Sequence, residues 1–196
     1  MSVLFGLLWP LERFNTAVLA IGRWIAIAAL AIMVCLILGQ VFFRYVLNDA
    51  PNWTEEGARF GMLWMTGLMA PLAYRMGGFV SIDTLVRLLP KAVGALLSLL
   101  LLFMSLLVLI VAVQIGWSEV TGFAGRFATA SLYLPTDMSF ENWFRVPRSW
   151  MMASLLVGVV LLISVNVELI LRALVRMLGG GDQLPPVSLE EQVGAE

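Results

Sequence analysis

Residues 44–83 read RYVLNDAPNWTEEGARFGMLWMTGLMAPLAYRMGGFVSID. This strip decides the fold, because here long apolar runs give way to charge, proline and paired glycine. Pro51 ends any helix arriving from Arg44, and Asn52 with Glu55 three residues later has the form of a capping box that opens the next one. Glu55 and Arg59 stand one turn apart and can pair, and both Glu55 and Glu56 suit the positive end of a helix. Only Phe60 to Tyr74 lies between Arg59 and Arg75, about 24 Å at ~1.5 Å per residue. Both arginines are therefore expected to snorkel toward water or headgroups. Pro71 removes a backbone hydrogen bond and predicts a kink. Gly57, Gly61 and Gly67 let another helix come close, and Gly77-Gly78 provides the stop. Beyond it, Ser81 caps a short surface helix with Ile82, Leu85, Val86 and Leu89 on one face, Asp83 and Arg87 on the other.

The rest of the chain fixes the solvent for these helices. Of its 196 residues 61% are hydrophobic and 13% charged, and the mean hydropathy is +0.94. A soluble domain has about 45–50% apolar and about 25% charged residues. The surplus cannot be buried in one small core, so lipid must take it. A net charge of −1 offers nucleic acid nothing to bind. The lone Cys35 excludes a disulfide framework, and the absence of His removes bis-His haem ligation, the usual zinc sites and a His base. The chain is expected not to be an enzyme and to carry no cofactor.

The expected fold class is an all-α integral membrane protein: four transmembrane helices with short interfacial amphipathic helices. Residues 1–22 form an N-terminal interfacial helix, with Leu4, Leu7, Leu8, Leu11, Phe14 and Val18 on the apolar side and Trp9 at headgroup level. A frayed start to the first span is the alternative. With no basic residues ahead of the apolar part, a cleaved signal peptide is not expected. Residues 23–172 hold spans at about 24–43, 57–76, 92–117 and 149–171. The loop 119–148, rich in aromatic residues, is ordered at the interface or against a partner. Glu168 and Arg172 pair one turn apart, and residues 173–196 form a polar, disordered tail. The termini and middle loop hold seven basic residues against five in the other loops, which places both termini in the cytoplasm and 119–148 in the periplasm.

GQVFFRYVLN (39–48), NWTEEGAR (52–59) and WMTGLMAPLAYRMGGFVSID (64–83) together resemble the small membrane subunit, DctQ-like or Q subunit, of tripartite ATP-independent periplasmic (TRAP) transporters. The likeness covers about residues 20–120 well and the last span loosely. Phe79 stands where the family usually has His, and the loop between spans three and four is longer than typical. The resemblance implies a bacterial or archaeal cytoplasmic (inner) membrane protein without chemistry of its own. It implies a large M-type membrane partner that carries the substrate and sodium sites, and a P-type periplasmic protein that delivers an organic acid. The small subunit would brace the stationary part of the large elevator subunit.

The residues expected to meet the partner or lipid are Arg44, Trp53, Glu55, Glu56, Arg59, Gly61, Trp64, Arg75 and Asp83. For Glu55, Glu56 and Arg59 two readings stay open: a helix start held by capping and an ion pair, or cross-links to the large subunit. Arg75 and Asp83 divide between headgroup anchoring and partner contact. A self-sufficient small oligomeric transporter is the alternative function. It would need a mid-membrane carboxylate, and the sequence offers ionisable groups only toward helix ends.

Overall fold

A computed structural model describes residues 2–49, 51–77, 90–135 and 143–180. Four helices carry the fold: α1 (Ser2–Tyr45), α2 (Trp53–Arg75), α3 (Lys91–Thr121) and α4 (Ser149–Met177). Between α3 and α4 come a 3-10 turn (Ala124–Arg126) and an antiparallel ribbon of β1 (Ala128–Pro135) and β2 (Trp143–Pro147). The ribbon corrects the expectation of a wholly helical chain. Thr129, Tyr133, Trp143, Phe144 and Val146 are strand-favouring side chains, and the two short segments that hold them can pair locally.

The N-terminal segment is also different from expectation. Residues 2–22 are the first half of one 44-residue helix, with Pro10 inside it, and not a separate element. Leu8, Asn15, Leu19, Gly22 and Ala26 are buried at helical spacing, so a single face runs across the expected boundary without a break. At ~1.5 Å per residue α1 is about 66 Å long, more than twice the hydrocarbon thickness, so it must tilt or project.

Among the described residues α1, α3 and α4 are long and apolar enough to cross a membrane. α2 is long enough, but charges at both ends and its Trp, Tyr, Pro and Gly residues dilute it. It closes with Gly77 at φ 78°, the glycine stop expected from the sequence. Of the disordered tail expected over 173–196, residues 173–177 instead belong to α4 and 181–196 lie outside the described residues, as does the short helix expected around Asp83.

α2 and α4 run side by side in the same direction at the centre, with α1 antiparallel to α2 on one flank and α3 antiparallel to α4 on the other. Gly57 faces Leu36, Gly61 faces Ala29 and Met33, and Gly116 faces Leu156. At the α2–α4 crossing the backbones themselves touch. A Cβ on Gly158 would lie 2.6 Å from the Gly67 carbonyl oxygen, and one on Gly67 would collide with the Ser154 carbonyl. A small core of Leu19, Leu72 and Val165, flanked by Met69, Tyr74 and Leu169, fills the α1–α2–α4 junction. The outer faces of α1 and α3, including Ile32, Leu38, Leu96 and Val108, remain uncovered.

Candidate functional site

The two ends of α2 hold most of the charged residues singled out above, and the fold treats them differently. At the N-terminal end Glu55 and Arg59 form the expected i, i+4 ion pair, exposed on both sides. Exposed pairs of this kind contribute little to stability. Glu56 turns the other way, onto the ribbon. Strand register shifts between Ala128 and Tyr133, which takes the intervening N–H groups out of the ladder. Glu56 accepts from Ala130 N–H at 2.9 Å, from Ser131 N–H at 2.6 Å and from the Ser131 hydroxyl at 2.9 Å. Ser131 Oγ also lies 3.0 Å from the Asn52 carbonyl oxygen, so its one proton is shared between the two acceptors. Thr129 Oγ1, donating to Val146 O at 2.8 Å, ties the two strands beneath.

Partial burial pushes the Glu56 pKa up, but the N–H groups of Ser131, Ala130 and Leu132 and the Ser131 hydroxyl outweigh it and set it below the ordinary value of 4.5. A carboxyl with a depressed folded-state pKa stabilises above its unfolded value and loses that contribution as pH falls through the folded one. Acidification below 4.5 should therefore release β1 from α2. Hydrogen exchange at the Ala130 and Ser131 amides should accelerate on acidification beyond the intrinsic pH dependence. In Glu56→Gln it should be roughly tenfold faster already at neutral pH, about one lost charge-assisted bond. Unchanged protection in that variant would mean that Glu56 does not hold the ribbon.

The C-terminal end of α2 overturns the expectation for Arg75. It does not snorkel. It is 3% exposed, because α1 and α4 supply acceptors for its fork of donors. Its Nη2 and Nε donate to Glu168 Oε1 at 2.9 and 3.3 Å, and its Nη1 donates to Thr16 Oγ1 at 2.9 Å. The expected Glu168–Arg172 pair is present, with Arg172 Nε 3.1 Å from the same Oε1. Asn15 Nδ2 donates to Glu168 Oε2 at 2.7 Å, and Asn15 Oδ1 accepts from Ser164 Oγ at 2.6 Å. Arg172 Nη2 reaches Glu12 at 3.0 Å.

The cluster thus balances two carboxylates against two guanidiniums and joins three helices. Glu168 is fully buried nine residues before the end of α4, so an ionisable group does stand inside the bundle. Both its oxygens are occupied, which suits cross-linking better than binding and release. Beside it the buried Asn166 donates to Tyr74 OH at 2.7 Å, and Tyr74 OH lies 3.4 Å from Ser105 Oγ.

The remaining singled-out residues are spread out. Arg44 and Trp53 are exposed. Gly61 packs on α1 inside the chain, and the Trp64 ring lies tilted, 6.3 Å from Phe60, with its indole N–H buried and without an acceptor among the described residues. Asp83 lies outside the described residues. Glu12, Asn15, Thr16, Ser164 and Asn166 were missed as site residues. Asn166 carries the signal, as a polar residue whose helical neighbours Leu162, Ile163, Leu169 and Ile170 are all apolar.

Two comparisons bear on this arrangement. The family model described as "Tripartite ATP-independent periplasmic transporters, DctQ component" matches residues 33–176. It takes in Arg75, Glu168 and Arg172, whereas Glu12, Asn15 and Thr16 precede it. A protein of Haemophilus influenzae (strain ATCC 51907 / DSM 11121 / KW20 / Rd), named as a TRAP transporter small permease protein, is 29% identical over 116 residues, 59% of this chain and 71% of that protein. The family match takes in the C-terminal part of α1, all of α2 and α3 and nearly all of α4, and the chain therefore belongs to the DctQ component family of TRAP transporters.

Proposed function

We propose that the chain is the small permease subunit of a sodium-driven TRAP transporter. It imports organic acids together with a periplasmic substrate-binding protein and a large M-type membrane subunit. In this reading α2 is a fourth span beside the three more apolar ones, both termini are cytoplasmic, and the ribbon faces the periplasm of a bacterial or archaeal inner membrane. Sodium and substrate bind on the large subunit, and this chain braces its stationary part.

One observation carries the reading. The buried charges are consumed within the chain at Glu168, Arg75 and Arg172, while the apolar outer faces of α1 and α3 are left uncovered. A chain that moved an ion through itself would keep a carboxylate free to bind and release it. A brace needs stiff helices and an unoccupied apolar flank.

The test is reconstitution. Mild-detergent purification should recover this chain with a large membrane partner. Vesicles holding both, supplied with the periplasmic protein and a sodium gradient, should accumulate an organic acid, while vesicles holding this chain alone should stay at background. Accumulation by this chain alone would establish instead a self-sufficient oligomeric transporter.

A further inference from the structure

The ribbon between α3 and α4 stands at a height that its neighbours fix. Gly57 is wedged between α1 and β1: a Cβ there would lie 3.1 Å from Leu36 on one side and 3.9 Å from Leu132 on the other. The ribbon is therefore level with Leu36. α1 runs on for nine residues beyond that level, to Tyr45, about 14 Å at ~1.5 Å per residue.

Past Leu36 the helix stays apolar on its open sides. Leu38, Val41, Phe42 and Phe43 are exposed, and the last three, being consecutive, point about 100° apart. Nothing among the described residues covers them, so hydrocarbon must reach past the level of the ribbon. The exposed Glu55–Arg59 pair flanks Gly57 at the same height and needs water or headgroups. Together these put the ribbon at the border of the bilayer, neither in its centre nor clear of it.

The surfaces of the ribbon fit that border. Strand side chains alternate between faces. Val146, 1% exposed, points to the bundle, so Trp143 and Arg145 point away from it, with Tyr133 opposite Arg145 across the ladder. Tyr133 and Trp143 are about half exposed, and the Arg145 guanidinium sits 5.4 Å from the centre of the Tyr133 ring. Amphipathic rings beside an arginine that can reach headgroups are the side chains that settle in the interfacial layer.

The backbone is suited to scarce water as well. Where the ladder breaks between Ala128 and Tyr133, side chains take over the freed groups. Glu56 accepts from the Ala130 and Ser131 N–H groups, and Arg145 donates to the Ala130 carbonyl at 2.6 Å. Backbone polar groups that meet lipid must be satisfied inside the protein.

We propose that the β1–β2 ribbon lies in the interfacial layer of the bilayer, with its outer face of Tyr133, Trp143 and Arg145 against lipid glycerol and headgroups. The inference does not depend on the transport reading, only on α1 crossing the membrane.

The test uses the full chain in phosphatidylcholine nanodiscs. Cys35 is its one cysteine, so Cys35→Ser gives a background in which Tyr133→Cys and Trp143→Cys each take a single NBD dye. Both side chains are exposed, so the dye displaces no core packing. Lipid with a nitroxide on the fifth acyl carbon should remove at least about half of the emission at both sites, since interfacial rings sit near that depth. Lipid labelled on the twelfth carbon should remove less. Val108→Cys, on the open face of α3 within its span, calibrates the opposite order. Aqueous iodide should quench both ribbon sites more weakly than it quenches the free dye.

Three results would overturn the proposal. Full quenching by iodide with none by nitroxide lipid would stand the ribbon in water. Protection from all three quenchers would put a protein surface, such as a second copy of the chain, over it. Stronger quenching from the twelfth carbon than from the fifth would sink it into the hydrocarbon core.

Discussion

Glu168→Ala is expected to destabilise the chain by about 3–5 kcal/mol, the range for breaking a buried ion pair by removing one partner. The substitution leaves Arg75 and Arg172 buried and close together, 3% and 2% exposed, with Glu12 as the one remaining carboxylate of the cluster. Asn15 loses its 2.7 Å acceptor at the same time. The effect should reach beyond α4. Arg75 ends α2, and Asn15 lies on α1, so all three helices lose their common fastening.

A paired removal separates the charge penalty from simple loss of packing. In Arg75→Leu/Glu168→Leu the remaining charges, Arg172 and Glu12, still balance, at 3.0 Å. The double variant should be at least about 1 kcal/mol more stable than the sum of its two singles, since residues in one ion-pair network couple by that order. Reversible unfolding in mixed micelles supplies the four stabilities. Strict additivity, or a Glu168→Ala variant as stable as wild type, would show that the cluster is not the junction its distances suggest.

Gly67→Ala should be the second most damaging change considered, and for a steric reason. The new Cβ would meet the Ser154 carbonyl, a backbone atom that cannot rotate away. α2 and α4 must then separate or shift, which for an overpacked contact costs about 1–3 kcal/mol. Gly158→Ala, 2.6 Å from the Gly67 carbonyl oxygen, should behave alike. Gly39→Ala has no atom within 4 Å of the added carbon and lies in mid-helix. It should be neutral or stabilising by up to about 1 kcal/mol, because alanine favours helix over glycine. A thermal series on these three variants checks the contrast. Equal melting temperatures for Gly67→Ala and Gly39→Ala would rule out a backbone-to-backbone crossing.

The interval 119–148 shows where sequence reasoning ran out. Its aromatics marked it as ordered, but not as a ribbon, because pairing of β1 with β2 depends on a register that skips residues between Ala128 and Tyr133. The same skip explains Glu56. In sequence it is one of two adjacent acids at a helix start, and both fit the positive end equally well. Only the position of the ribbon shows that Glu56 has the β1 amides and the Ser131 hydroxyl waiting and Glu55 has Arg59.

Residues 2–22 teach the reverse lesson. Helical spacing sorts their apolar and polar positions, yet the buried side holds Leu8 and Leu19 together with Asn15, while Leu7 and Phe14 are exposed. That the polar residues Asn15 and Thr16 face protein and not headgroups could not be read, since helical periodicity defines sides but not what lies against them.

The sequence by itself determined the solvent, the helices and the kinship. Composition forces apolar surplus into lipid, apolar runs place the helices, Pro51 and Gly77 mark where α2 begins and ends, and the strip 44–83 carries the family likeness. Tertiary structure decided the fate of the charges. Arg75, Glu168 and Asn15 lie up to 153 residues apart and become one cluster only when α1, α2 and α4 pack. The physical reason is that burial of a charge depends on acceptors and counter-charges brought from distant segments, whereas helix formation and partition into lipid depend on neighbours along the chain.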